Sequence, residues 1–214
     1  MTRTELTHLY FLLDRSGSMQ SIKADTEGGF AAFISEQREA VEGECRVTLA
    51  QFDNVYEVVY SDLPLGEVPP LQLAPRGSTA LLDAMGRLIT DAGAALAAKP
   101  EQERPGTVVV AVMTDGYENA SREWTHAAIS SLVEQQTEQY RWQFLYMGAD
   151  QDAIEVGRSM GVAPEHSVTY GRGKAREAMA ATSAKVAGLR AARVANPAAM
   201  ADGYTAAERD ELAR

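Results

Sequence analysis

Hydrophobic positions along the chain change period several times, and each change marks an element. Leu6–Leu13 is an apolar run that predicts a buried strand, and it stops abruptly at Asp14. Ile22, Phe30, Phe33, Ile34, Arg38 and Val41 then recur at helical spacing, with Gly28 and Gly29 interrupting the stripe where the helix is expected to approach the sheet closely. Two strand-like runs, Arg46–Phe52 and Val55–Tyr60, flank Asp53-Asn54, a hairpin signal. Ser61 to Gly77, with prolines at 64, 69, 70 and 75, predicts a long irregular loop, a kind that often carries function. A helix is expected to start near Ser78 or Thr79.

The second half alternates more regularly. "TVVVAVMTDG" is a continuous β-branched run, as expected of a strand covered on both faces, and it ends in Asp115-Gly116. A helix over about Glu123 to Tyr140, the strand "WQFLYMGAD", a short helix from Ile154 to Met160 and the strand "HSVTY" follow. Lys174 to Val194 has a helical stripe of Met179, Thr182, Val186, Leu189 and Arg193. The Ala-rich segment from Asn196 to Arg214 carries a possible capping box, Thr205 to Glu208, and is open to two readings, docked or mobile. This order predicts an α/β fold: a doubly wound, mostly parallel six-stranded sheet with one antiparallel edge strand and helices on both faces. Ligands on such sheets sit beyond the carboxyl ends of the strands. Asp14, Asp115 and Asp150 all fall at that edge.

Composition narrows the function classes. The 214 residues carry 20 basic and 30 acidic side chains, a formal charge of −10, which opposes binding to nucleic acid or an anionic membrane. The single cysteine, Cys45, can form neither an internal disulfide nor a zinc cluster alone and reads as a small core residue. No early apolar run is long enough for a signal peptide or a membrane span, so a cytoplasmic protein is expected.

The candidate chemistry lies at the strand tips. Asp14 and Asp115, on adjacent parallel strands, would point into one crevice, where two carboxylates repel unless a positive charge separates them. Ser16 and Ser18 add acceptor oxygens without charge, and Thr79, after the long loop, can reach the same place. Oxygen ligation without His or Cys suits a hard cation, Mg2+ first, then Mn2+ or Ca2+. Singly, each residue has an ordinary explanation: Ser18, Thr79 or the competing Ser78 as a helix cap, Asp115 as a turn residue. Jointly, five oxygen-bearing residues at converging tips are hard to explain as caps.

"DRSGS" matches the Asp-x-Ser-x-Ser motif of von Willebrand factor type A (vWA) domains, and Thr79 in "GSTALLDAM" and Asp115 in "MTDG" match the other two elements of that family's metal-ion-dependent adhesion site (MIDAS). The chain therefore resembles a vWA domain, from about Leu6 to Tyr170 in the order of its elements. The resemblance implies a Rossmann-like domain over residues 1–195 with a tail at 196–214. It implies one divalent cation held by Ser16, Ser18 and Thr79, with Asp14 and Asp115 acting through water or as acceptors behind those ligands. It further implies a protein-binding module, not a catalyst, whose metal completes its coordination with a Glu or Asp carboxylate of a partner. Arg15, Met19, Gln20, Arg76, Tyr117, Glu118 and Asn119 flank the motifs as candidate rim residues, and Arg15 and Arg76 would attract an acidic ligand.

The alternative is a metal-dependent phosphoryl-transfer or hydrolase enzyme using the same tips. Haloacid-dehalogenase-like phosphatases carry an aspartate pair two residues apart, and here Ser16 stands at the second position. A receiver domain wants a lysine that "YMGAD" lacks. His8, His126 and His166 fall away from the strand tips, no phosphate-binding loop is present, and "GRG" at 171–173 is too short for a dinucleotide fingerprint. Asp150 and Asp152 read as loop and helix-start residues.

Overall fold

Alternate side chains of one strand, Pro105–Thr114, disappear into two different cores: Val109, Ala111 and Met113 on one side, Val108, Val110 and Val112 on the other. This is the reason its sequence is apolar without alternation. The computed structural model describes residues 2–40 and 43–214, apart from the side chain of Ala40, so Val41 of the first helical stripe lies outside the described residues.

Six strands form one sheet: β1 (Arg3–Asp14), β2 (Glu44–Phe52), β3 (Tyr56–Pro64), β4 (Pro105–Thr114), β5 (Gln143–Ala149) and β6 (Ser167–Tyr170), in the spatial order β3-β2-β1-β4-β5-β6. All neighbours pair parallel except β2 and β3, so the antiparallel strand is at an edge, as the hairpin signal predicts. The chain leaves β1 toward β2 on one side and returns to β4 on the other. Strand order thus reverses between β1 and β4, the point above whose carboxyl ends sheets of this kind open a crevice.

Helices α1 (Lys23–Ala40), α5 (Ala175–Ala195) and α6 (Ala206–Leu212) cover one face. Phe30, Phe33, Met179, Val186, Leu189 and Leu212 share one core there with Leu9, Phe11 and Leu13 of β1. Helices α2 (Leu81–Ala98), α3 (His126–Tyr140) and α4 (Ala153–Ser159) cover the other face, over Tyr10 and Leu12. Cys45 is buried in the first core, and burial pushes its thiol up to about 11. Arg193, on the stripe of α5, is buried and donates to the carbonyls of Ala199, Gly106 and Arg141, which is how a cation is accommodated at a core position. Among the described residues no helix is long and apolar enough to cross a membrane.

Two local expectations change, and one that was open is decided. The irregular loop is shorter than 61–77 suggests: β3 runs to Pro64 because Leu63 and Pro64 still pair with Val47 and Arg46 beyond bulges in the ladder. Its remainder is pinned by Leu65, Val68, Leu71 and Leu73, all buried against the α1 side of the core. Gly28 and Gly29 face α5, not the sheet. A β-carbon on Gly29 would lie 2.9 Å from the Arg176 Cα and 3.3 Å from the Ala175 carbonyl oxygen, so the two helix backbones meet there. Finally, the C-terminal segment is docked. Tyr204 and Leu212 are buried in the same core as α5, the Tyr204 hydroxyl lies 2.7 Å from Thr182 Oγ1, and Thr205 and Glu208 form both bonds of a capping box.

Gly29→Ala is expected to destabilise the protein by roughly 1–3 kcal/mol, because backbone atoms of α5 must yield. Urea denaturation checks this: the midpoint should fall with an unchanged slope, and an unchanged midpoint would show that the helices can separate freely.

Candidate functional site

The site begins where β1 runs out of partners. Arg15 N–H still donates to the Phe52 carbonyl at 2.7 Å, and the chain then turns over the sheet edge. Asp14 directs that turn: its Oδ1 accepts from the Ser16 amide at 2.6 Å, while its Oδ2 accepts from Thr114 Oγ1, at the end of β4, also at 2.6 Å. A 3-10 turn, Gly17–Ser21, follows, anchored by the fully buried Met19. It places Ser16 Oγ 3.1 Å from Ser18 Oγ, and Ser18 Oγ donates to Asp115 Oδ1 at 2.6 Å. Three of the predicted residues are thus linked through hydrogen bonds, and Asp14 is tied to them through the Ser16 backbone.

Thr79 arrives from the long loop. That loop is stitched to the first turn by Gly17 N–H to the Gly77 carbonyl (3.2 Å) and Arg76 N–H to the Arg15 carbonyl (2.8 Å). Gly77 adopts φ +69°, a conformation that favours glycine. Thr79 and Ser18 meet above Gly116: a β-carbon on this glycine would sit 3.3 Å from Thr79 Oγ1 and 3.7 Å from Ser18 Oγ. The glycine keeps open a small cradle walled by hydroxyls. All five predicted residues therefore lie around one point.

The hydroxyls are not spent on capping. Neither the 3-10 turn nor α2 has a side-chain cap from Ser16, Ser18, Ser78 or Thr79. The amides at the start of α2 are satisfied from a segment some forty residues away: Asn119 Oδ1 accepts from Thr79 N–H, Glu118 Oε2 from Leu82 N–H, and Ser121 Oγ from Asp83 N–H. Asp83 in turn accepts the amides of Arg122, Glu123 and Trp124.

Several expected rim residues have other tasks. Met19 is core. Glu118 and Asn119 cap α2. Arg15 is buried and donates to Asp53 (3.1 Å) and Glu57 (2.6 Å), and Arg76 donates to the same Asp53 carboxylate at 2.8 Å. The two arginines clamp the hairpin turn, whose Val55 amide donates to the other Asp53 oxygen. Gln20 and Tyr117 are exposed beside the site. Asp152 caps α4 through the Glu155 amide. Two residues not singled out from the sequence also matter: Thr114, which holds Asp14, and Arg172. The Arg172 guanidinium bonds Asp150 and Ser21 and comes within 3.9 Å of Asp115 Oδ2.

Both acids are under electrostatic stress. Burial pushes the Asp14 carboxyl up to about 6 against the opposing hydrogen bonds from Thr114 and Ser16, and the Asp115 charge pushes the same way. Burial also raises Asp115, offset in part by Ser18 and by the positive charge of Arg172. Asp115 Oδ2 is buried and accepts no hydrogen bond. An unbonded carboxylate oxygen beside hydroxyls that cap no helix, above a glycine cradle, fits a hard cation. Among the described residues no three His, Cys, Asp or Glu side chains form a metal-holding group, so any cation here depends on the hydroxyls.

No protein-family profile and no curated protein matches the sequence. Solved structures do share the fold. One is a von Willebrand factor type A protein from Catenulispora acidiphila (15% identity over 85% of this chain and 43% of that one, TM-score 0.57). Another is proximal thread matrix protein 1 from the mussel byssus, described with a zinc-occupied MIDAS motif (14%, 83% and 46%, TM-score 0.55). A third is the vWF domain of the type V pili tip protein Mfa5 from Porphyromonas gingivalis (10%, 84% and 94%, TM-score 0.57). The chain spans under half the length of the first two. Its structural neighbours are vWA domains, and its six-stranded sheet is a vWA-like α/β fold.

In metal-free buffer, the raised Asp14 carboxyl binds protons more tightly in the folded than in the unfolded chain, whose value is 3.8. Between that value and about 6 the folded state holds more protons, so this group's contribution to stability falls as pH rises. Melting temperature against pH for the wild type and Asp14→Asn in EDTA should show a steeper decline in the wild type, since Asp115, also raised, is common to both. Parallel curves would show that the carboxyl is not strained.

Proposed function

We propose that this protein is a divalent-cation-dependent protein-binding module. Ser16, Ser18 and Thr79 would hold the cation through their hydroxyls, with Asp14 and Asp115 acting through water or as acceptors behind them. Mg2+ is the first choice, with Mn2+ or Ca2+ as alternatives. When bound, the ion supplies a Lewis-acidic position that neutral hydroxyls leave short of negative charge, and a Glu or Asp carboxylate of a partner protein completes it.

The observation that carries this reading is the buried, unbonded Asp115 Oδ2 beside hydroxyls that cap no helix. Asp14 orients the first turn through the Ser16 amide, Thr114 fixes Asp14, and Ser18 bridges to Asp115, so the donor set is pre-arranged. Ser18 is exposed, whereas Ser16 and Thr79 are buried, which opens the site toward an approaching surface. The zinc-occupied MIDAS of the mussel protein and the pilus-tip setting of Mfa5 give the reading precedent on the same fold.

Thermal melting with and without cation tests the proposal. At a hundredfold excess of Mg2+ or Mn2+ over its dissociation constant, the wild type should gain about 2.7 kcal/mol. Ser16→Ala and Thr79→Ala should lose nearly all of that gain while remaining folded in EDTA. No gain in the wild type, or equal gains in the variants, would contradict the assignment. Metal-dependent turnover of a phosphate ester, abolished by the same variants, would replace binding with catalysis.

A further inference from the structure

The crevice already has a cation at its edge. Arg172 lies in the turn between β6 and α5. Its Nε donates to Asp150 Oδ2 at 2.6 Å, and a terminal nitrogen donates to Ser21 Oγ at 2.8 Å. Its other terminal nitrogen lies 3.9 Å from Asp115 Oδ2, which is ion-pairing distance but too long for a hydrogen bond. The guanidinium thus touches the end of the first turn and the tips of β4 and β5, but leaves unbonded the one carboxylate oxygen that lacks a partner.

The two ends of this contact differ in freedom. The Arg172 side chain is 47% exposed, and that of Asp115 is wholly buried. The backbone beneath Arg172 is held by Gly171 N–H to the Leu212 carbonyl and Lys174 N–H to the Gly171 carbonyl. The arginine is therefore presented from a fixed turn with a side chain that can swing, while the acid is immobile. Arg15 and Arg76, the other arginines beside the site, are both committed to Asp53.

We propose that Arg172 is the resident counter-ion of the Asp115 and Asp150 tips, and that it competes with a divalent cation for Asp115. In this role it sets how tightly the site holds metal. The inference rests on the cation-binding reading of the site. The physical basis is charge: a dication entering the cradle meets a like charge 3.9 Å from Oδ2 of the same carboxylate, and the arginine must move away or be repelled in place. Without metal, the same guanidinium makes two neighbouring acidic tips tolerable. A surface pair whose only task was to join Asp150 to the β6–α5 turn would leave metal affinity unchanged.

Calorimetric titration of the full chain with Mn2+ at low ionic strength tests this, using wild type, Arg172→Gln, Arg172→Lys and Ser16→Ala. Removing the charge should tighten Mn2+ binding by roughly three- to thirtyfold, the range expected of a partly screened like-charge neighbour. Arg172→Lys, which keeps the charge, should lie closer to the wild type than to Arg172→Gln. Unchanged or weaker binding by Arg172→Gln, or equal tightening by both substitutions, would overturn the role of Arg172. If the wild type binds Mn2+ through Ser16 and only the Arg172 result fails, the cation reading stands. If neither wild type nor Arg172→Gln binds Mn2+, both fall.

Discussion

Two aspartates at the carboxyl ends of adjacent parallel strands set the terms for this molecule. The β1–β4 pairing brings Asp14 and Asp115 to one edge, and the layers that cover both faces of the sheet strip water from them. Buried carboxylates of like charge raise each other's proton affinity and oppose folding unless they are compensated. The surrounding structure supplies that compensation from several elements: a threonine hydroxyl from β4, the Ser16 amide, the Ser18 hydroxyl and the Arg172 guanidinium. One oxygen of Asp115 is left over. In the proposed reading, that incompleteness is what a cation answers.

The same constraint explains how distant parts of the chain are arranged. Hydroxyls serve a cation only if the local backbone does not claim them, and the start of a helix usually does. Here the segment after β4 takes over that task, with Glu118, Asn119 and Ser121 satisfying the amides at the entrance to α2 while Asp83 reciprocates. Arg15 and Arg76 converge on Asp53 and fasten the hairpin turn beside the loop that carries Thr79. Side chains that look like a binding rim along the sequence thus form the scaffold that holds the hydroxyls in place.

How much of this was legible in the sequence follows from the range of each interaction. β4 announces itself because a strand covered on both faces needs an unbroken apolar run. The hairpin announces itself because Asp53-Asn54 is local turn chemistry. The five candidate residues could be grouped because strand tips converge in a doubly wound sheet, and the structure does bring them together. Interactions spanning long separations left no local mark. Nothing near Thr79 shows that its helix is capped from Glu118. The pattern Gly28-Gly29 signals close approach but not the identity of the partner, α5 in place of the sheet. "GRG" carried no hint that Arg172 would reach Asp115, since the contact depends on where β6 ends relative to β4. Length was misjudged at β3, whose pairing continues through bulges into a stretch that the prolines mark as loop.

The central claim is that hydroxyls from the first turn and the long loop converge with Asp115 on one hard cation. Anomalous diffraction from a crystal grown with Mn2+ tests it most directly. The account predicts a single strong peak bounded by Ser16 Oγ, Ser18 Oγ and Thr79 Oγ1, with Arg172 displaced from Asp115. A well-occupied peak elsewhere on the protein, with the cradle above Gly116 holding only water, would contradict it.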